Sequence, residues 1–493
     1  MRNFMVSDAF AGALIFGGSV CYSIYCVYKV STVVNSISIP NSEFYFNDGW
    51  SILKRKRDIV DEEWENGKSL YVSLAPWLLF QSIISVLFHH KSYLNYLYMF
   101  QIICSALYII INLNLLSFIL IILQPITFQL LIITIKFKKR VIWVCSLINI
   151  MIFFNINIKV VYNFFHQLQL TDNQVDLLYI ALYWINIRCV CYYIDYTENP
   201  WKCNITQSLS YCLYLPLLFL GPFIQYKDFK KCREFNNDPL KLRLLLFMKN
   251  LIRFIFWWIF TDISLHYIYV NFFPFFPELV KTFDSVTLYG FGYSMGQFFH
   301  LKYVVLYGLS TTFAQFDGIP TPNIPKCIGR IHLYSDMWKY FDNGLYQFLL
   351  KYIYIPVKNF TSSPYVSNII CFLFIFVWHG FMRMDIFVWV TLNCLGVMIE
   401  RFFKNIGLQN YFNIFWERHL SCMINAPLLM MSAISNFYFF GGTTIGNIFV
   451  YRVIEDKLSS TFILLFTLYS CGLFSIYVKQ KEIGNKKLSN KTS

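Results

Sequence analysis

The sequence predicts an all-α polytopic membrane protein, and three observations predict it. Of the 493 residues, 57% are hydrophobic, 20% aromatic and only 14% charged, a composition suited to lipid rather than water. The apolar residues gather into runs close to the roughly 20 that a helix needs to cross a hydrocarbon core. Lys and Arg gather instead in short polar stretches, such as Lys54 to Arg57 and Lys136 to Arg140, and at the end of the chain. The chain reads as one domain, residues 1–493, because spanning helices satisfy their own backbones and pack on one another within the bilayer. Residues 479–493 form a basic tail expected on the cytosolic side.

Taken in order, Phe10 to Tyr28 is a first apolar span. It is too long, and too poor in basic residues ahead of it, for a cleaved signal peptide. Residues 41–69 turn polar and are expected to form an interfacial loop with an amphipathic segment around Trp50 to Trp64, its charges on the surface. Spans follow at about Leu70 to Phe88, Tyr93 to Ile111 and Leu115 to Ile135, the last with Pro125 placed to kink it. Val141 to Ile156 and Leu177 to Tyr193 are two more. In the second of these, Arg188 lies two turns before Asp195 on one face, which reads as an ion pair.

Tyr211 to Gln225 carries Pro216 and Gly221-Pro222. Such a broken apolar segment suits the lining of an internal cavity rather than a lipid face. Leu244 to Tyr269 and Val286 to Gly308 are long spans. His300 and Lys302 in the second are two residues apart and cannot share one helix face. After a proline-rich loop come an amphipathic stretch (Tyr334 to Pro356), an apolar span ending in His379, and further spans at Ile386 to Ile399, Ser421 to Phe440 and Ser460 to Val478. The count is roughly ten to twelve transmembrane or re-entrant helices, with no internal repeat.

A net charge of +14, from 41 Lys and Arg against 27 Asp and Glu, does not lie along a groove interleaved with exposed aromatics, which argues against nucleic acid as a partner. The basic clusters suit the negative cytosolic leaflet of a lipid bilayer. The 14 cysteines are scattered without a Cys-x-x-Cys pair. They read as reduced, buried side chains, Cys189 and Cys191 as helix packing.

Two stretches carry candidate chemistry. Ile369 to Gly380 reads IICFLFIFVWHG, and a helix starting near Tyr365 would carry His379 roughly 21 Å along its axis. An ionisable side chain at membrane depth must face a protein or water-filled interior, which makes it a candidate functional residue; the alternative is a core histidine bonded to a neighbouring helix. In YSDMWKYFDNGLYQFLLKYIYIP (Tyr334 to Pro356) the apolar positions recur at helical spacing. Asp342 interrupts that face with Trp338 and Tyr346 four residues away on either side, on one ridge. Its carboxylate needs a partner there, the local alternative being an ion pair with Lys339.

MWKYFD followed by WHG at the end of an apolar helix resembles the membrane-bound O-acyltransferase family, in its Hedgehog acyltransferase branch. YCLYLPLLFLGP (Tyr211 to Pro222), LKYVVLYG (Leu301 to Gly308), FDGIPTPNIPKC (Phe316 to Cys327), LNCLGVMIE (Leu392 to Glu400) and FFGGTTIG (Phe439 to Gly446) extend the likeness in the same order, with the core motifs between 177 and 446. The resemblance implies helices around a through-membrane tunnel, in the endoplasmic reticulum or Golgi membrane. It implies palmitoyl-CoA as acyl donor and the N-terminal cysteine amine of a secreted Hedgehog-type protein as acceptor. His379 and Asp342 would be catalytic, with Trp338 and Trp378 beside the substrate. Cys327, fifteen positions before Asp342, stands where the branch has a haem-iron ligand, and a thiolate-held haem b is the implied cofactor. WHGF lacks the doubled glycine often found after this histidine, Lys339 stands where arginine is familiar, and the N-terminal third matches in hydropathy only.

A neutral buried histidine suits acyl transfer to an amine, because an α-ammonium of pKa about 8 must lose a proton before or during attack. Trp378 would wall the site against water, whose attack on the thioester competes with transfer. The rival readings are a hydroxyl acceptor (a Wnt serine, a peptide or a lipid), a non-catalytic regulator, and a transporter. Presence of the histidine argues against the second, and lack of repeats against the third.

Overall fold

The computed structural model describes the chain apart from residues 1, 88–93, 136–137, 156–162, 164–169, 199–203, 236–238, 408–413 and 493. The expected ends at Phe88, Tyr93 and Ile156, and part of the Lys136 to Arg140 cluster, lie outside the described residues. The described residues are mostly helical, with α1 (Arg2–Ser36), α2 (Glu62–Leu87), α3 (Leu94–Asn112), α4 (Leu115–Thr134), α5 (Lys138–Asn155), α6 (Asp172–Glu198), α7 (Ile205–Cys212), α8 (Tyr226–Phe235), α9 (Leu240–Tyr267) and α10 (Ser285–Phe316) in the first part of the chain. The second half holds α11 (Tyr334–Phe341), α12 (Asn343–Leu349), a π-helical turn (Leu350–Tyr354), α13 (Ile355–Thr361), α14 (Pro364–His379), α15 (Met384–Ile406), α16 (Ile414–Glu455) and α17 (Leu458–Thr492). Among the described residues, nine helices are long and apolar enough to cross a membrane, and the apolar α14 is shorter at 16 residues.

Local chemistry sets many of the boundaries. The Asn114 side chain accepts the Ser117 N–H at 2.7 Å and starts α4. Pro125 lies inside α4, and its own carbonyl accepts the Tyr193 hydroxyl at 2.9 Å. α16 passes through a non-helical residue, Gly442 (φ 75, ψ −177), so the span expected to end near Phe440 continues beyond a break. α17 likewise runs on through the basic tail.

Two expectations are corrected. No amphipathic helix forms around Trp50 to Trp64. The chain instead makes a two-stranded antiparallel ladder of β1 (Phe46–Asn47) and β2 (Arg57–Asp58) and enters α2 at Glu62. Nor do all its charges lie on the surface. Arg57 and Asp58 are buried; Arg57 pairs with Asp262 at 2.6 Å and Glu65 at 3.0 Å, and Lys68 with Glu65 at 2.8 Å and Asp262 at 2.9 Å. The physical reason is distance along the chain. Asp262 comes from α9, some 205 residues after Arg57, and buried charges are tolerated only when so paired.

Arg188 and Asp195 do not pair with each other. The Arg188 guanidinium donates to the carbonyls of Cys212, at 2.9 Å, and Leu217. These lie at the end of α7 and in the broken stretch that follows it, where the backbone leaves helical acceptors unused. Asp195 instead takes Lys351 at 2.6 Å and the Tyr352 hydroxyl at 2.9 Å from the π-helical turn. His300 and Lys302 do diverge: His300 meets the Pro325 carbonyl at 3.3 Å, while Lys302 pairs with Asp61 and Glu63, each at 2.8 Å. Cys189 and Cys191 are buried in packing, the latter 3.0 Å from the Tyr352 hydroxyl.

Candidate active site

His379 is the last residue of α14, whose start is capped by Ser363 with Pro364 at the first turn. The helix stops there because Gly380 takes φ 103, a conformation that costs a side-chain-bearing residue dearly. The histidine ring stands perpendicular to Trp389 of α15 (5.2 Å between centroids, 89°) and to Phe439 of α16 (5.6 Å, 88°). Those two rings lie 4.6 Å from each other. Three helices thus hold the imidazole in an aromatic corner.

Asp342 does not continue a helical ridge, as expected from the spacing of Trp338 and Tyr346, but breaks it. With φ −117 and ψ 89 it ends α11 and caps α12, Oδ1 accepting the Leu345 N–H at 2.8 Å. Aspartate bonds locally to free backbone N–H groups better than it sits inside a helix, and this local preference overrode the periodic pattern. Oδ2 accepts the Tyr307 hydroxyl of α10 at 2.8 Å. That bond, rather than an ion pair with Lys339, is the carboxylate's side-chain partnership; the Lys339 ammonium lies over the Tyr340 ring. Two residues on, Gly344 sits so close to the loop after α7 that a Cβ there would fall 2.3 Å from the Phe223 carbonyl oxygen.

Trp338, on α11, donates its indole N–H to Asn393 Oδ1 at 3.1 Å. Its ring stands edge-on to Phe372 at 5.1 Å and lies 5.5 Å from Trp389, so Trp389 links the Asp342 segment to His379. Trp378 turns toward α6, where it meets Tyr183 at 5.0 Å and Trp184 at 6.5 Å. Asp342, His379, Trp338 and Trp378 all line one cavity of about 1240 Å³, together with Tyr307 and Trp389. Lys339, Arg401, Lys404 and Lys479 bring four cations to its wall. Lys479 is paired with Asp336 at 2.6 Å, and Arg401 donates to the Tyr354 hydroxyl at 2.9 Å.

Cys327 does not line this cavity, although its neighbours Ile328 and Gly329 do. It lies half-buried in the loop before α11, with Gln297 Nε2 at 3.9 Å from its sulfur. Among the described residues no group of three or more His, Cys, Asp or Glu side chains gathers to hold a bare metal ion. A half-buried thiol has the donor chemistry of a thiolate ligand to haem iron.

Tyr307, Trp389, Asn393 and Phe439 were not singled out from sequence. Each nevertheless falls in or beside a stretch that carried the family resemblance, and Tyr303 and Tyr307 stand four apart, on one helix ridge.

Residues 131–441 match the model of the MBOAT, or membrane-bound O-acyltransferase, family. The chain belongs to this family. In this membrane-bound O-acyltransferase the matched region runs from the last turn of α4 to the break in α16, and both Asp342 and His379 fall inside it. The chain is 32% identical over 451 residues to the protein-cysteine N-palmitoyltransferase Rasp of Drosophila melanogaster, covering 88% of each chain. It is 26% identical over 337 residues to the protein-cysteine N-palmitoyltransferase HHAT of Mus musculus, covering 63% of this chain and 66% of that one. A third relative, the membrane-bound O-acyltransferase GUP1 of Candida tropicalis, is 24% identical over 48% of this chain.

Proposed function

We propose that this acyltransferase moves palmitate from palmitoyl-CoA to the N-terminal cysteine amine of a secreted Hedgehog-type protein, in the endoplasmic reticulum or Golgi membrane. The observation that carries the reading is that a half-buried imidazole and a buttressed carboxylate open into one cavity whose wall also gathers four cations. Similarity along most of the chain to a protein-cysteine N-palmitoyltransferase supports it. The cavity, at about 1240 Å³, exceeds the roughly 300–1,000 Å³ usual for compact ligands, as a long acyl thioester requires. Lys339, Arg401 and Lys404 are the groups to meet the CoA phosphates.

The acceptor's α-ammonium first releases one proton to water, and the positive charge that returns to the nitrogen as it attacks is balanced by the Asp342 carboxylate. As the amine nitrogen forms its bond to the thioester carbonyl carbon, an imidazole nitrogen of His379 takes a proton from it. The carbon–sulfur bond then breaks and the imidazolium returns a proton to the leaving thiolate. Ammonium and thioester become amide, CoA thiol and one released proton, so the balance closes without another reactant. Trp338 and Trp378 wall the chain of reacting atoms and exclude the water that would hydrolyse the thioester.

Cys327 would hold a haem b through its thiolate, outside the reacting cavity. Such a group would brace the loop that leads into α11. The reading is tested by incubating purified protein with labelled palmitoyl-CoA and acceptor peptides that differ only in their first residue. Label should enter the cysteine peptide; equal or preferential labelling of a serine peptide would overturn the assignment.

A further inference from the structure

We propose that Tyr307 is a positioning residue that acts through Asp342, an inference that rests on Asp342 taking part in the transfer. A carboxylate at a helix N-cap is held by one oxygen and remains free to turn its plane about that bond. Here the second oxygen is held as well, and from a different element: the Tyr307 hydroxyl donates to Oδ2 at 2.8 Å while the Leu345 N–H donates to Oδ1 at 2.8 Å. Two fixed donors set the plane of the carboxylate and leave its other lone-pair sites to meet a cation in the cavity.

The donor is itself anchored. α10 presents Phe299, Tyr303 and Tyr307 at four-residue spacing along the cavity wall. The Tyr303 ring lies 5.2 Å from the Tyr307 ring at 84°, and its hydroxyl donates to Glu63 Oε1 at 2.8 Å. Lys302 on the same turn pairs with Asp61 and Glu63. The polar start of α2 therefore fixes the rotation of α10, and α10 fixes the carboxylate. An orientation imposed in advance by the fold spares the reorganisation that solvent would otherwise need at the moment of reaction.

Tyr307→Phe removes one oxygen and keeps the ring. In full-length purified protein with palmitoyl-CoA and a cysteine peptide, it should lower kcat about ten- to a hundredfold, the worth of a hydrogen bond to a charged group, with KM for both substrates little changed. 4-Aminophenylalanine incorporated at position 307, which restores a donor at the same reach, should recover kcat. The double variant Tyr307→Phe with Asp342→Asn should be no slower than Asp342→Asn alone, because the phenol has nothing further to act through. Wild-type kcat in Tyr307→Phe beside an impaired Asp342→Asn would overturn the positioning role and leave the proposed function standing. So would an additive loss in the double variant, or a loss confined to KM. Full activity in Asp342→Asn would instead overturn the proposed function itself. If Tyr307→Phe does not purify as a monodisperse protein, 4-fluorophenylalanine, which fills the place of the hydroxyl without donating, takes its part in the same comparison with 4-aminophenylalanine.

Discussion

His379, the candidate base, is the last residue before a glycine that stops the helix, and it is framed by Trp389 and Phe439. Replacing it with alanine removes the proton acceptor and leaves the aromatic corner standing. His379→Ala is expected to reduce transfer about a hundredfold or more in protein that still elutes as a single peak, measured with labelled palmitoyl-CoA. Asp342→Asn keeps the shape and an acceptor for one donor but loses the charge, and it should also be severely impaired. If a well-folded His379→Ala transfers at the wild-type rate, the histidine leaves the mechanism. Its place at the end of an apolar run made this residue visible in the sequence; Tyr307 was hidden because a tyrosine in an apolar helix is ordinary until its partner is known.

At the scale of elements, the short helix α12 depends on a contact that no local pattern announces. Gly344→Ala would push a methyl group into the Phe223 carbonyl, and backbone cannot give way as a flexible side chain can. Overpacking of this kind costs about 1–3 kcal/mol. The variant should melt at a lower temperature, and its kcat should fall because Asp342 caps the helix that must move. A second element-scale contact ties α17 to the segment before α11, where His332 Nδ1 lies 2.9 Å from the Ser475 hydroxyl. Burial, with Lys479 nearby, holds the His332 pKa down to about 4 from an ordinary 6.5. The unfolded chain therefore binds this proton more readily than the folded one, so the contribution is fully present above about 6.5 and is lost as pH falls toward about 4. The melting temperature should drop over that window, and His332→Gln should drop less over the same window.

At the scale of the molecule, the reaction is decided by which nucleophile reaches the thioester. An N-terminal cysteine offers a thiol and an amine, and the stable product is the amide. A single deep histidine suits an amine, whose pKa lies near that of imidazole, better than a serine hydroxyl. The labelled peptide should therefore keep its palmitate in hydroxylamine, and acetylating its N-terminus should stop the reaction. Modification of the acetylated peptide, or a hydroxylamine-labile product, would transfer the assignment to a hydroxyl-acylating enzyme. Protein produced with haem available should show a Soret band that Cys327→Ala removes, and a colourless wild-type preparation would exclude the haem.

The sequence by itself determined the helical membrane architecture, because every polar backbone group in lipid must be satisfied within its own segment and that demand writes long apolar runs into the chain. It also singled out the two residues proposed for the candidate site, His379 by its expected depth and Asp342 by its interruption of an aromatic face, and the ordered motifs that supplied the family added weight to both. Tertiary structure alone decided how those residues are held. The break at Asp342, the Tyr307 bond to its carboxylate and the Trp389 link to His379 join elements far apart in the chain. So do the buried pairs of Arg57 with Asp262 and of Asp195 with Lys351. Hydropathy and helical period are properties of neighbours, whereas the partner of a buried charge is set by which helices pack together.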